Sequence, residues 1–311
     1  MRAIAFTDFG VAPAIHDLPV PEPGPGEVLV RVHHSSLNGF DLAVASGMVK
    51  GMMEHRFPVV LGRDYSGTVE AVGSDVTSVK PGDDVFGVVS HKHLGPGSFA
   101  EFVVISEALG LAKVPTGLHE PTAGALGLAG AAAHATIEAV APSSGETVLI
   151  SGATGGVGAN AIQLAAARGA TVIATAKPGD EAEFVKNLGA HHTVDYTARM
   201  SEQVRGIKAD GVHAAIHLAG DGLQLADLLT EGGRFASSLG IGQDQMSDRS
   251  VQATAIVATP TTDVLDQLAA EVVAERLQVP VQHTYKLEEV PQAITDFAKG
   301  SLGKLAIQVQ S

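Results

Sequence analysis

The stretch Thr147-Val-Leu-Ile-Ser-Gly-Ala-Thr-Gly-Gly-Val-Gly158 decides the fold. An apolar run, Thr147–Ser151, enters a glycine-rich turn that opens onto a helix-forming segment, Ala159-Asn-Ala-Ile-Gln-Leu164. Strand, tight turn and helix in that order frame a dinucleotide-binding unit. Ala153, Gly155 and Gly158 fill the three positions of the G-x-G-x-x-G fingerprint, with alanine in the first. The second position lets backbone approach a pyrophosphate, the third lets helix and strand pack closely, and the helix N-terminus favours phosphate charge. Ala153, Thr154, Gly155, Gly156, Val157 and Gly158 are the candidate cofactor-binding turn. The other reading of these residues is a tight turn without a ligand.

The following strand selects the nucleotide. An NAD-preferring unit ends this strand, about 20 residues on, with a carboxylate for the ribose 2′-hydroxyl. Here it reads Thr171-Val-Ile-Ala-Thr-Ala-Lys177, with Ala176 in the acid's place and a cation beside it. A carboxylate repels a 2′-phosphate and Lys177 attracts one, so the expected cofactor is NADPH. An ordinary solvated strand-end lysine is the other reading of Lys177.

Outward from the fingerprint the rhythm differs on the two sides. Downstream, a helix to about Arg168 and strand Thr171–Thr175 lead to a helix at Glu181–Leu188. Short strands at His192–Asp195, Val212–Leu218 and Arg234–Ser238 follow. Such βα alternation predicts a parallel sheet covered on both faces. Upstream, Glu27–Val32, Tyr65–Val72, Asp84–Val89 and Phe99–Ile105 read as strands, and Lys80-Pro-Gly-Asp83 as a turn preset by proline and glycine. A partly closed antiparallel barrel is expected there. The tail predicts a helix at Val264–Glu275, strand Gln282–Leu287, a helix at Leu287–Lys299 and a last strand, Lys304–Val309.

Composition narrows the function. The 311 residues suit two domains at about 100–200 residues each. A formal charge of −14 argues against nucleic acid as a partner, which requires a basic surface. The absence of cysteine removes disulfides, thiol catalysis and cysteine-ligated metal. Asp8 interrupts the apolar core that a secretion signal would need, and the apolar window Thr122–Ala141 carries His134 and Glu138. That window reads as a buried helix near a domain junction, so no membrane association is expected and the expected compartment is cytoplasmic.

The turn Ser151-Gly-Ala-Thr-Gly-Gly-Val-Gly158 also suits a short-chain dehydrogenase, which needs a Tyr-x-x-x-Lys pair. Tyr65, Tyr196 and Tyr285 are followed four residues on by Val69, Met200 and Glu289, so that reading fails. The chain instead resembles the zinc-free quinone oxidoreductase branch of the medium-chain dehydrogenase/reductase superfamily. The resemblance spans the sequence in ordered motifs: Leu37-Asn-Gly-Phe-Asp41 with Ser46-Gly47, Leu61-Gly-Arg-Asp-Tyr-Ser-Gly67, and Val79-Lys-Pro-Gly-Asp-Asp-Val-Phe-Gly87. Gly97-Ser-Phe-Ala-Glu-Phe102, the fingerprint, Leu188-Gly-Ala190 and Gly303-Lys304 complete it. It implies a GroES-like β-barrel substrate domain over residues 1–121 and 262–311, a Rossmann NADPH-binding domain over 122–261, and a homodimer.

Zinc-dependent relatives hold their metal with a cysteine ahead of the Asp41 region and a histidine after Gly62. Here Arg63, which cannot ligate zinc, stands in the histidine's place and the cysteine is missing. Without a Lewis acid to polarise an alcohol, hydride delivery to an already electrophilic quinone or α,β-unsaturated carbonyl is the expected chemistry. By resemblance, Asn38 offers its amide to the substrate oxygen and Asp41 orients the local loop. Arg63 either serves an oxyanion or forms a surface ion pair. Tyr196 matches a residue near the adenosine phosphate, while Ala219-Gly220 and Leu239-Gly240 match backbone lining the nicotinamide.

The chain departs from the family's usual pattern in Leu42-Ala-Val-Ala-Ser-Gly-Met-Val49, which lacks the usual tyrosines. Ala132 replaces the usual threonine beside the nicotinamide, so a more apolar pocket is expected, with His134 a satisfied buried histidine. An alkene or enoyl-thioester reductase, and a low-turnover NADPH-binding protein with a structural or regulatory role, are the competing readings.

Overall fold

The computed structural model describes residues 1–310. The chain divides into two compact units: Met1–Ala131 with Pro260–Glu275 and Val281 onward, and Ala132–Thr259 with Arg276–Pro280.

The first unit is β-rich. Strand Glu27–Ser36 is its organiser, pairing antiparallel with Asp64–Val72, Phe102–Ser106 and Lys304–Gln308. Alternation explains the role: Val28, Val30 and Val32 are fully buried on one face, while Arg31 on the other reaches Glu70. The strand outruns its expected end at Val32 because His33 through Ser36 continue the pairing, with Ser35 and Ser36 fully buried. Lys304–Gln308 brings the distant chain end into this sheet, opposite Ser36, Ser35 and His34. The core packs Val, Leu and Ile with Phe6, Phe99 and Tyr65.

In the second unit six parallel strands run in the order His192–Val194, Thr171–Thr175, Thr147–Ile150, Val212–His217, Leu229–Ser237, Gln252–Ala255. This is the doubly wound arrangement expected, and its central strand is the fingerprint strand. Thr147–Ile150 is buried throughout, as a strand covered on both faces must be. The edge strand Gln252–Ala255, the helix Met200–Ile207 and the short helix Gly222–Ala226 lay outside the sequence expectations. The tail helix predicted as one piece is a 3₁₀ turn, Leu287–Glu289, followed by Val290–Phe297, with Pro291 at the helix start where its missing N–H is harmless.

The apolar window forms the helix Glu120–Val140, the one helix among the described residues long and apolar enough to cross a membrane. Most of it is buried within the protein, as a core helix would be. Within the first unit its glycines permit close approach. A Cβ on Gly124 would meet His34 Cβ and Ser66 Oγ at 2.9 Å, and one on Gly127 would meet the Gly87 carbonyl oxygen at 2.6 Å.

Candidate active site

Glycine geometry explains the fingerprint turn. Gly152 adopts φ +63°, which reverses the chain out of the strand. A Cβ on Gly158 would sit 2.4 Å from the Gly152 carbonyl oxygen and 2.6 Å from Ala153 Cα, so only glycine lets helix and turn touch. A Cβ on Gly155 would meet nothing closer than 3.6 Å. Gly155 is therefore not required by the protein's own packing; its bare backbone faces open space. It caps the twelve-residue helix Gly156–Ala167, whose first N–H groups receive no side-chain cap. Ala153 is fully buried, whereas Thr154, Gly156 and Val157 keep partial exposure. A cavity of 590 Å³ opens beside the turn, lined by Gly152, Thr154, Thr175, Tyr196, Ala219 and Gly220 among others. Its volume falls in the range of small-molecule and cofactor sites.

Two loops are tied in place by hydroxyls. Ser151 Oγ accepts the N–H groups of Leu218 (3.1 Å) and Ala219 (3.4 Å), joining the fingerprint strand to the next strand's end. Ser237 Oγ accepts from Leu239 (3.1 Å) and Ile241 (3.4 Å), which fixes the turn through Leu239 and Gly240. Behind it, buried His217 contacts Ser237 Oγ through Nδ1 at 2.9 Å and the Gly220 carbonyl through Nε2 at 3.0 Å. The carbonyl can only accept, so Nε2 carries a proton, while the Ser237 hydroxyl can serve Nδ1 as donor or acceptor. One imidazole thus couples the Ala219-Gly220 and Leu239-Gly240 turns.

At the end of strand Thr171–Thr175, Lys177 lies over the Tyr196 ring with Nζ 5.3 Å from the centroid. Tyr196 first, and then the charge of Glu181, raise its pKa above the usual lysine value. Glu181 opens the helix Asp180–Asn187 and reaches this corner with both oxygens.

The β-rich unit holds a separate polar cluster around Asp64, which is fully buried. Asp64 Oδ2 accepts from Ser36 Oγ (2.6 Å), Asn38 Nδ2 (2.8 Å) and Lys304 Nζ (3.1 Å), while Oδ1 accepts the Leu128 N–H at 2.6 Å. Lys304 also donates to Asn38 Oδ1 at 2.6 Å. Because lysine only donates, this contact fixes the amide's orientation and points Nδ2 at Asp64 and, at 3.3 Å, the Ser36 carbonyl. Removing one member of such a buried pair strands the other charge, at about 3–5 kcal/mol.

Asp41 closes the start of the helix Gly39–Ala45: Oδ2 accepts from the Asn38 N–H (2.9 Å) and Oδ1 from Gly62 (3.1 Å). Burial pushes its carboxyl up to about 6, against the opposing pull of the Arg63 charge and the Asn38 N–H. Arg63 is 6% exposed, lies over Phe40 and reaches the Val89 and Pro96 carbonyls only at 3.5 Å. The surface ion pair is therefore not formed. Burial lowers its pKa and Asp41 partly restores it.

The comparisons extend this geometry. Residues 24–116 match the family profile of the alcohol dehydrogenase GroES-like domain, and residues 156–270 that of the zinc-binding dehydrogenases. A chloroplastic quinone-oxidoreductase of Triphysaria versicolor is 34% identical over 228 residues, covering 70% of this chain and 68% of the relative. The solved quinone oxidoreductase of Coxiella burnetii superposes with a TM-score of 0.90 at 30% identity, over 100% of this chain and 99% of that one. The chain belongs to the quinone oxidoreductase branch of the medium-chain dehydrogenase/reductase superfamily. A 2-methylene-furan-3-one reductase of Solanum lycopersicum is 34% identical over 75% of this chain and 61% of its own length. A mycobacterial protein solved with NADPH superposes at a TM-score of 0.86 with 28% identity, over 99% of this chain and 100% of that one.

Membership in this reductase family makes the chain an oxidoreductase that uses a nicotinamide cofactor. The turn fits that group: a cavity, a helix start without a side-chain cap, and glycines placed for close approach. The catalytic zinc implied by the second profile does not fit. Arg63 occupies a ligand position, the chain lacks cysteine, and no three His, Asp or Glu side chains among the described residues are grouped to hold a metal. Of the histidine pairs, His33 bonds Glu120, and His91 Nε2 bonds the Val104 carbonyl at 2.9 Å. His134 is partly exposed, 3.9 Å from Glu138.

Sequence reasoning missed Glu181, the Ser151 and Ser237 clamps, and the burial of Lys304. A hydroxyl closing a strand beside a glycine turn was the available signal for Ser151. For Glu181 it was an acid in the first turn of the next helix.

Proposed function

We propose that this chain is an NADPH-dependent reductase of quinones or α,β-unsaturated carbonyls, working as a cytoplasmic homodimer without zinc. The observation that carries the cofactor assignment is Lys177 over Tyr196, at a strand end where Ala176 stands in place of the carboxylate. The backbone of Ala153, Thr154, Gly155, Gly156, Val157 and Gly158 would hold the pyrophosphate. Lys177 and Tyr196 would hold the 2′-phosphate, and Ala219, Leu239 and Gly240 would line the nicotinamide end. When bound, the reduced nicotinamide supplies a hydride.

For the substrate oxygen, the β-rich unit offers two donors. Asn38 has a second Nδ2 hydrogen committed only to the long contact with Ser36, and Arg63 has a guanidinium whose two carbonyl contacts are at the limit of hydrogen bonding. Both can stabilise a developing oxyanion or enolate by donated hydrogen bonds. Quinones and enones need no metal to accept hydride, and the relatives named as a quinone oxidoreductase and a 2-methylene-furan-3-one reductase favour that class. The strand Gln252–Ala255 ends its sheet with one edge unpaired among the described residues, a surface that a second copy could extend.

Steady-state oxidation of NADPH against a panel of quinones, enals and enoyl thioesters tests the reading. Turnover on quinones or enals is expected. Tight NADPH binding with no turnover on any acceptor would contradict it and favour the regulatory alternative.

A further inference from the structure

The corner assigned to the 2′-phosphate already holds an anion. Glu181 Oε2 accepts the backbone N–H of Lys177 at 2.9 Å. Its Oε1 accepts the Tyr196 hydroxyl at 3.2 Å and stands 3.5 Å from Lys177 Nζ. Both side chains read as phosphate ligands are thus turned onto one carboxylate oxygen. The acid that the strand end lacks at Ala176 is supplied five residues later, from the first turn of the helix Asp180–Asn187.

We infer that Glu181 sets the discrimination between NADPH and NADH, acting as an internal counter-ion that a 2′-phosphate must displace and a 2′-hydroxyl can bond. The inference rests on the reading that the adenosine ribose lies at Lys177 and Tyr196. A phosphate arriving there meets like charge within hydrogen-bond reach of its intended partners. Its binding requires Lys177 and Tyr196 to leave Oε1, or the carboxylate to rotate outward. A ribose hydroxyl carries a proton and can donate to Oε1 in Tyr196's place, as a strand-end acid does in NAD-binding units. The same three side chains therefore serve both nucleotides by different hydrogen bonds, and NADPH preference is held below what Lys177 alone would give.

The substitution Glu181→Gln keeps the size and an oxygen for the Lys177 N–H while removing the charge. Titration calorimetry with NADPH and NADH, and with 2′,5′-ADP and 5′-AMP as probes of the adenosine end, reads the effect without turnover. Expected for E181Q is a shift of the dissociation-constant ratio toward NADPH by more than about twofold and up to about fivefold, the upper end of what one exposed charge pair is worth. The ratio of 2′,5′-ADP to 5′-AMP should move the same way, with the thermal midpoint unchanged. Lys177→Ala, measured in parallel, should move both ratios in the opposite direction. A K177A shift with E181Q ratios within about twofold of the wild type overturns the role of Glu181 and leaves the Lys177 reading standing. Ratios unmoved by K177A overturn that reading and this inference with it.

Discussion

At the residue scale, the polar cluster of the β-rich unit shows how little a side chain's type says about its setting. Lys304 enters the sequence reading only through the Gly303-Lys304 motif and the last strand, yet it is 2% exposed and bonded to Asp64, 240 residues earlier in the chain. No local pattern announces a pair that distant; the sheet pairing of Lys304–Gln308 with Glu27–Ser36 brings it about. Asn38 was a candidate by its motif alone, and its pinning by Lys304, which commits Oδ1 and leaves one Nδ2 hydrogen weakly held, was not legible. Asp41 yields a pH prediction. Its carboxyl, pushed up to about 6, lies above the ordinary aspartate value of 3.8, so the folded state binds the extra proton between those values. Its contribution therefore favours folding as pH falls toward 4 and is lost as pH rises through 6. Relative to Asp41→Asn, which has nothing to titrate, the wild type should gain about 1 kcal/mol on going from about pH 7.5 to pH 5. Urea unfolding of both proteins at the two pH values measures this; a parallel pH dependence would contradict it.

At the element scale, strands buried on both faces and the helix after the fingerprint were readable because their apolar runs are unambiguous. Thr171–Thr175 was bounded to the residue, and the fingerprint helix to within one. The strand Gln252–Ala255 was missed because its residues are mostly exposed and its short Gln-Ala-Thr-Ala alternation is carried by alanines alone. Met200–Ile207 was missed for a related reason, since Val204 is its single buried residue. The helix Glu120–Val140 was legible as buried, but the use of its glycines was not, because that depends on what lies against them. Gly127 is the sharpest case: a methyl group would meet Gly87 O at 2.6 Å, Val88 Cγ2 at 2.9 Å and the Asp64 carboxylate at 3.0 Å. Gly127→Ala should gain helix propensity and still lose stability, by about 1–3 kcal/mol, because overpacking against backbone exceeds the propensity gain. A thermal midpoint at or above that of the wild type would show that the helix shifts freely.

At the scale of the whole molecule, the sequence order of β-rich segment, fingerprint unit and returning tail is the order the fold uses, with the last strand pairing into the first unit's sheet. Family membership and nicotinamide chemistry follow from that order and from the turn. In the proposed function, cofactor preference and substrate class rest on a few side chains at Lys177, Glu181, Asn38 and Arg63. In that proposed function the turn from Ala153 to Gly158 serves to cradle a dinucleotide phosphate. Two of its three glycines separate fold from function, since Gly158 is demanded by the protein's own backbone and Gly155 is not. Calorimetric titration of Gly155→Ala with NADPH, beside its thermal melt, tests this most directly. The predicted result is an unchanged melting midpoint with NADPH affinity reduced about tenfold or more, a loss of about 1.4 kcal/mol as the added methyl occupies the pyrophosphate's approach. Wild-type NADPH affinity in that variant would contradict the account.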